Sequence, residues 1–361
     1  MSIPTVGKAC AIYDKGPNYR LELKTDYPVP SYGDDELLIK LTCTGICATD
    51  DNMLMLSFSS THLILADWGT AFPPECPGHE GAGVVVAVGK SVKNFRVGDR
   101  VGHSPIADVC HECSYCRTGR EIACPKKEVA ARSVNGSYCQ YIVRPARYTP
   151  RIPDNVPDEY AGPILCSGST VYQAFQSANL NPGDWVVIPG GGGGLGHLAC
   201  QMARAMSLRV IAIDTGKEKE QLCLGYGVEK FLDFKVEKDM VTTVRDLTNG
   251  GAHSVIVTGG SKGSYDSALQ YLRNYGCLIV VGIPAKGTTI EADPFTMCVR
   301  KLRIIGSYVG TMQDINAAFD LTARGLLVPQ AVKYPFKEFP NVVKSLMEGK
   351  VVGRSVVFFD E

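Results

Sequence analysis

Apolar and polar positions follow two regimes along this chain, and the change falls near Asp184. Before it, short β-branched runs bounded by Gly, Pro and Asp, Glu36 to Thr44 (ELLIKLTCT) and Gly81 to Val88 (GAGVVVAV), predict strands. After it, buried-strand runs take turns with helical stretches. Strands are expected at Trp185 to Pro189, Arg209 to Asp214, Ser254 to Thr258 and Cys277 to Val281. Helices are expected between them at Leu195 to Met206, Lys217 to Tyr226 and Tyr265 to Leu272. Lys301 to Val309 reads as a last strand, Gln313 to Arg324 as a helix, and the tail is strand-like to Val356-Val357-Phe358-Phe359. Repeated strand–helix units imply a parallel sheet covered on both faces. The expected class is α/β: a doubly wound nucleotide-binding domain over residues 167–304, inserted into a mainly β domain made of residues 1–166 and 305–361.

The run Gly190 to Gly196 (GGGGGLG) contains G-x-G-x-x-G as Gly191, Gly193 and Gly196, with Gly194 and Leu195 inside it. It follows a predicted strand and opens a helix. Glycines there permit a tight turn and close backbone approach, and the helix amino terminus offers unpaired N–H groups to a pyrophosphate. A glycine run alone could be only a loop. Asp214, at the end of the next strand, adds a carboxylate where adenosine ribose hydroxyls would bind, although a solvated strand-end acid is the alternative. A carboxylate there repels a 2′-phosphate, which favours NAD over NADP.

The chain has 361 residues, long enough for two domains with sizeable cores. Lys plus Arg equals Asp plus Glu at 37 each, so no global field draws in nucleic acid or an anionic membrane. The amino-terminal stretch shows no secretory pattern, and no apolar run is long enough to span a bilayer. The 14 cysteines are therefore expected to be reduced thiols in the cytoplasm. Cys110, Cys113, Cys116 and Cys124 form C-x2-C-x2-C-x7-C, the spacing of a closed four-sulfur zinc site, here in a lobe over residues 108–126. Four unrelated buried thiols are the alternative.

Three further segments hold candidate ligands: Thr44-Gly45-Ile46-Cys47-Ala48-Thr49-Asp50, Pro77-Gly78-His79-Glu80-Gly81, and Pro163-Ile164-Leu165-Cys166. Taken with the four-cysteine lobe, GHEGAGVV, the GGLG turn, RVIAID, Gly306 to Gly310 (GSYVG) and Val352-Gly353-Arg354, the chain resembles the zinc-dependent medium-chain alcohol dehydrogenases, most closely the yeast-type fungal enzymes. That resemblance implies a groES-like catalytic domain around a Rossmann domain. It implies a catalytic zinc on Cys47, His79 and Cys166, with Asp50 bonded to His79 and Glu80 near the ion. Thr49 would hydrogen-bond the reacting alcohol and begin its proton relay. For NAD(H), it implies Lys219 at the adenosine ribose, Arg354 at the pyrophosphate and Thr170 at the nicotinamide. Phe234, Val281, Ile283, Ser307 and Val309 would line the cofactor. A homodimer or homotetramer built through the sheet edge near Leu302 to Val309 is expected.

Two departures from that family stand out. Ala48 stands where yeast-type enzymes carry a histidine that contacts the pyrophosphate, and Asn52 where they carry the relay's terminal histidine, so proton exchange is expected to pass through water; His62 is a nearby but exposed-loop alternative. The Met-, Leu- and Phe-rich run from Asn52 to Pro74 is long, and Pro105 replaces a pocket-narrowing tryptophan. Both point to an alcohol, aldehyde or ketone bulkier than ethanol, such as a specialised fungal metabolite. Reduction of an activated C=C bond and a non-catalytic nucleotide binder are the competing readings.

Overall fold

The computed structural model describes residues 3–14, 19–49, 75–284, 287–348 and 350–360. Asp50, Asn52, His62 and the run to Pro74 lie outside the described residues. The chain divides into two compact units: Met1–Cys166 with Thr311–Ala323 and Ala331–Glu361, and Ser167–Gly310 with Arg324–Gln330.

The first unit begins with β1 (Val6–Tyr13), β2 (Arg20–Pro28), β3 (Glu36–Ile46), β4 (Gly81–Val88), β5 (Arg100–His103), β6 (Ile106–Asp108), β7 (Glu128–Val129) and β8 (Tyr141–Pro145). The second holds β9 (Trp185–Pro189), β10 (Arg209–Asp214), β11 (Lys230–Asp233), β12 (Ala252–Val257), β13 (Leu272–Val280) and β14 (Arg303–Gly306). The chain then returns to the first unit with β15 (Ala331–Pro335) and β16 (Arg354–Phe358).

In the first unit the main sheet runs β15-β16-β3-β4-β5, and β8 also pairs with β3. β3 is its spine because Leu37, Leu38, Ile39 and Leu41 are all essentially inaccessible to solvent. Leu37, Ile39 and Leu41 pack with Val85, Val101, Ile142, Phe339 and Phe359 into one core. In the second unit every pairing is parallel and the order is β11-β10-β9-β12-β13-β14. Counted from β9, that order is 3-2-1-4-5-6, the doubly wound dinucleotide arrangement. It reverses between β9 and β12, so a crevice opens at the carboxyl end of β9, where the glycine run begins.

Elements that depart from the sequence pattern do so for local reasons. The stretch Tyr265 to Leu272 is two short helices, Lys262–Asp266 and Ala268–Tyr271, and Leu272 already belongs to β13. The last parallel strand is shorter than Lys301 to Val309, because Lys301 takes a left-handed conformation capping the helix Pro294–Arg300 and Val309 also has positive φ. Since β14 pairs with β13, the second unit extends past residue 304 to Gly310. The strand-like tail contains the helix Phe339–Met347, with a proline in its first turn and Phe339, Val342 and Val343 buried at helical spacing.

The helix Gly196–Ala205 starts where Gly196 closes onto the turn: a Cβ there would stand 2.0 Å from the Gly190 carbonyl oxygen. That neighbour is backbone and cannot swing aside. Gly196→Ala is expected to destabilise the second unit by about 1–3 kcal/mol, the usual cost of forced overpacking. Denaturant unfolding followed by Trp185 fluorescence would show it; an unchanged midpoint would contradict the close approach.

Candidate active site and metal centres

Three strand ends of the first unit meet at one point. Thr44 of β3 pairs with Gly81 of β4, and Ile46 of β3 pairs with Ser355 of β16. This register brings Cys47, just past β3, beside His79 and Glu80, just before β4, and beside Arg354 at the start of β16. Cys166 arrives on a π-helical turn, Ile164–Gly168, between the helices Asp158–Pro163 and Ser169–Ala178. Such widened turns re-aim a side chain and recur at functional sites.

Donor atoms of Cys47, His79, Glu80 and Cys166 all lie within 4.8 Å of one another, and all four residues are buried. Cys166 Sγ is 3.3 Å from His79 Nε2. A tetrahedral ion with ordinary zinc–sulfur and zinc–nitrogen bonds would hold such atoms about 3.5 Å apart, so the donor set fits zinc. The hydrogen bond from Cys166, with His79 and Arg354 nearby, holds the Cys47 thiol well below the usual cysteine range. The same bond and burial push Cys166 upward. A dication bound between them would favour the thiolate form of both sulfurs. Thr49 Oγ1 sits 3.6 Å from Cys47 Sγ, on the rim of the donor cluster.

Glu80 and Arg354 form a buried ion pair through Oε1 and Nη2. Burial pushes the Glu80 carboxyl up to about 7, against the pull of Arg354. Burial also lowers the Arg354 value, but the charges of Glu80, Cys47 and Cys166 outweigh it and raise the guanidinium. The guanidinium expected at the pyrophosphate also bonds a carboxylate beside the candidate metal ligands. Gly45 makes room for this: a Cβ there would stand 2.0 Å from Glu80 Oε2. Ser137 escaped the sequence reading. Its Oγ accepts the Glu80 backbone N–H at 3.2 Å and bonds the Thr44 hydroxyl at 2.6 Å, locking β3 to the His79–Glu80 segment. Its only sequence signal is a small polar residue after Gly136.

The lobe is a second cage. Cys113 and Cys116 sulfurs are 3.5 Å apart, Cys124 and Cys110 3.5 Å, and Cys110 and Cys116 3.9 Å. Four sulfurs bound tetrahedrally to one zinc would be about 3.8 Å apart. Backbone N–H groups of Cys113 and Cys116 point at the sulfurs of Cys110 and Cys113. Such donors, from Glu112 and Cys113, bring the Cys110 thiol down to about 6, so a thiolate is ready for metal. The His111 ring stacks edge-on against Tyr148.

In the second unit a cleft of about 490 Å³ opens beside the glycine turn, lined by Gly190, Gly193, Asp214, Lys219 and Phe234. Sequence reasoning missed Glu237, Thr258, Ser264 and Tyr271, which complete its wall. Asp214 accepts the Gly192 N–H at 3.0 Å and pairs with Lys219 at 2.8 Å, so it braces the turn as well as facing the cleft. Phe234 and Ile283 are large apolar residues left about half exposed, while Thr170, Val281 and Val309 are buried. Ser307 Oγ is buried with no partner. Exposed apolar faces and an orphaned hydroxyl suit a bound dinucleotide. Gly191, Gly194, Leu195 and Gly196 form the turn itself.

The chain matches the family model described as zinc-binding dehydrogenase over residues 194–324, and that of the alcohol dehydrogenase GroES-like domain over residues 33–154. It is 39% identical over 360 residues to an alcohol dehydrogenase of Schizosaccharomyces pombe, covering 99% of both chains. It is 37% identical over 339 residues to alcohol dehydrogenase 1 of Emericella nidulans, covering 92% of this chain and 93% of that one. Among solved structures, acetophenone reductase from Geotrichum candidum in complex with NAD superposes with a TM-score of 0.83 at 27% identity, across 100% of both chains.

Metal analysis should find about two zinc ions per chain, one for each donor set. Cys166→Ser should lower zinc content by about one ion with little loss of stability, whereas Cys124→Ser should remove the other and lower the melting temperature. Arg354→Met, which strands Glu80 in the interior, should cost about 3–5 kcal/mol in unfolding free energy. A neutral effect would mean that Glu80 is not buried as a charge.

Proposed function

Because the chain belongs to the zinc-dependent medium-chain dehydrogenase/reductase family, closely related to fungal alcohol dehydrogenases, and is a zinc-dependent NAD(H)-linked oxidoreductase, we propose that it interconverts alcohols with aldehydes or ketones. The observation that carries this is the buried convergence of Cys47, His79 and Cys166. Zinc supplies Lewis-acid polarisation of the substrate oxygen, and the nicotinamide gives or takes the hydride.

The remaining work falls to the chain. Cys47 and Cys166 as thiolates with neutral His79 balance a dication and leave a fourth position for substrate oxygen. Arg354 holds positive charge beside the two sulfurs and favours their ionised forms; Glu80 balances it within the interior. Thr49 Oγ1, against the Cys47 sulfur, would accept the hydrogen bond of the substrate hydroxyl and pass its own proton on to water as the alcohol is oxidised, the direction reversing in reduction. Asp214 and Lys219 hold the adenosine ribose of NAD(H), and Asp214 disfavours a 2′-phosphate. Water is kept away from the three ligands, each less than a tenth exposed.

The substrate we infer is bulkier than ethanol. The acetophenone reductase is a relative whose name specifies an aryl ketone, and Pro105 offers no ring to narrow a pocket. A homodimer or homotetramer is inferred through β14. This edge strand pairs only with β13 among the described residues, and Tyr275, Phe295 and Val299 nearby are well exposed.

An NADH-oxidation screen across acetaldehyde, aryl ketones and enones, with products identified, tests this reading. Aryl or long-chain carbonyls should exceed acetaldehyde by about tenfold or more in kcat/KM, a difference of about 1.4 kcal/mol. The products should be alcohols. Thr49→Val should lower kcat by about a hundredfold or more, the range of a lost proton-transfer group. Acetaldehyde as the best substrate would reject the bulk inference, and saturated carbonyl products from enones would reject the chemistry.

A further inference from the structure

The sequence gives His197 no role, yet it is fully buried in the helix Gly196–Ala205, and both ring nitrogens are engaged. Nε2 lies 3.1 Å from the Gln330 backbone nitrogen, whose N–H it accepts. A nitrogen that accepts carries no proton, so the neutral ring bears its hydrogen on Nδ1. Nδ1 lies 3.0 Å from the Gly193 carbonyl oxygen, and so donates to it. That oxygen also accepts the His197 backbone N–H at 3.0 Å. The Gly193 carbonyl is therefore held by two donors from one residue.

The consequence follows from the planarity of the peptide unit. In a trans peptide the N–H of the next residue points opposite to the carbonyl. Fixing the Gly193 oxygen thus fixes the direction of the Gly194 N–H, within a five-glycine run that has no side chains to restrict its backbone. Gly194 lies in the turn whose amides offer a pyrophosphate its donors. A second residue on the same helix separates this duty from simple packing. Gln201 donates to the Val328 carbonyl at 2.9 Å and accepts the Val328 N–H at 2.8 Å. Gln201 therefore clamps segment 324–330 onto the helix without touching the turn, whereas His197 touches both.

We propose that His197 is a positioning residue for the dinucleotide turn: its Nδ1–H holds the Gly193 carbonyl and thereby orients the Gly194 N–H toward the pyrophosphate of bound NAD(H). The imidazole is braced from behind by the Gln330 N–H, which selects the tautomer and stops the ring from turning. The interaction serves phosphate and not adenosine, whose cleft is walled by Asp214, Lys219 and Phe234.

The test compares binding of ADP-ribose, adenosine and NADH to the zinc-loaded protein and three variants, by calorimetry and NADH fluorescence. His197→Leu should weaken ADP-ribose and NADH by about five- to tenfold, the worth of one well-placed hydrogen bond, and leave adenosine unchanged. His197→Gln, which can donate at one end and accept at the other, should recover most of the loss. Gln201→Leu should lower the melting temperature while ADP-ribose affinity stays within about twofold of wild type. Unchanged ADP-ribose affinity in His197→Leu would overturn the proposal while leaving the nucleotide site intact. Equal losses for adenosine and ADP-ribose would reduce His197 to packing. Should His197→Leu fail to fold, nitrogen-15 histidine spectra of the wild type decide: the proposal requires a neutral Nδ1–H ring, and an Nε2–H ring overturns it.

Discussion

Two cysteine sulfurs and an imidazole nitrogen buried within a few ångströms of each other are an unstable arrangement without a cation. Two thiolates repel in a medium that screens them poorly, and two thiols would waste the pair's ligating capacity. Each sulfur acts on the other: their bond holds the Cys47 thiol low and, with burial, pushes Cys166 upward. The sheet register that gathers the ends of β3, β4 and β16 therefore builds a site whose natural occupant is a dication, and chemistry on a substrate oxygen follows from it.

The Glu80–Arg354 pair belongs to the same electrostatic problem. A guanidinium next to two sulfurs favours their ionised forms, but a lone guanidinium at 6% exposure would itself be costly. Glu80 supplies the compensating charge, Gly45 supplies the space, and Ser137 fixes the backbone that carries Glu80. These residues come from opposite ends of the chain, so the site and the sheet form together. The second unit shows parallel economy: Asp214 and His197 each brace the glycine turn.

What was legible in the sequence was whatever depends on short spacing. Cys110 to Cys124, the glycine fingerprint and the strand ending at Asp214 are local patterns, and their geometry follows directly. The three catalytic ligands are far apart in sequence, and only the resemblance to a family joined them before the sheet register did. The bond between Arg354 and Glu80 was not readable because an arginine's partner is set by folding: only the β16–β3 pairing brings the two together. The helix Phe339–Met347 hid behind its β-branched Val342 and Val343, although Pro340 in the first turn and the spacing of Phe339, Val342 and Val343 mark it. His197 was unreadable because both of its partners are backbone groups, one of them over a hundred residues away.

Zinc-edge X-ray absorption on the isolated protein addresses the metal assignment most directly, because it counts ligands without needing a substrate. One four-sulfur site and one site with two sulfurs and an imidazole should give an average near three sulfurs at about 2.3 Å, with a nitrogen or oxygen component at about 2.0 Å. A pure four-sulfur shell from a single ion per chain would mean that Cys47, His79 and Cys166 hold no zinc, and the proposed oxidoreductase chemistry would have no centre.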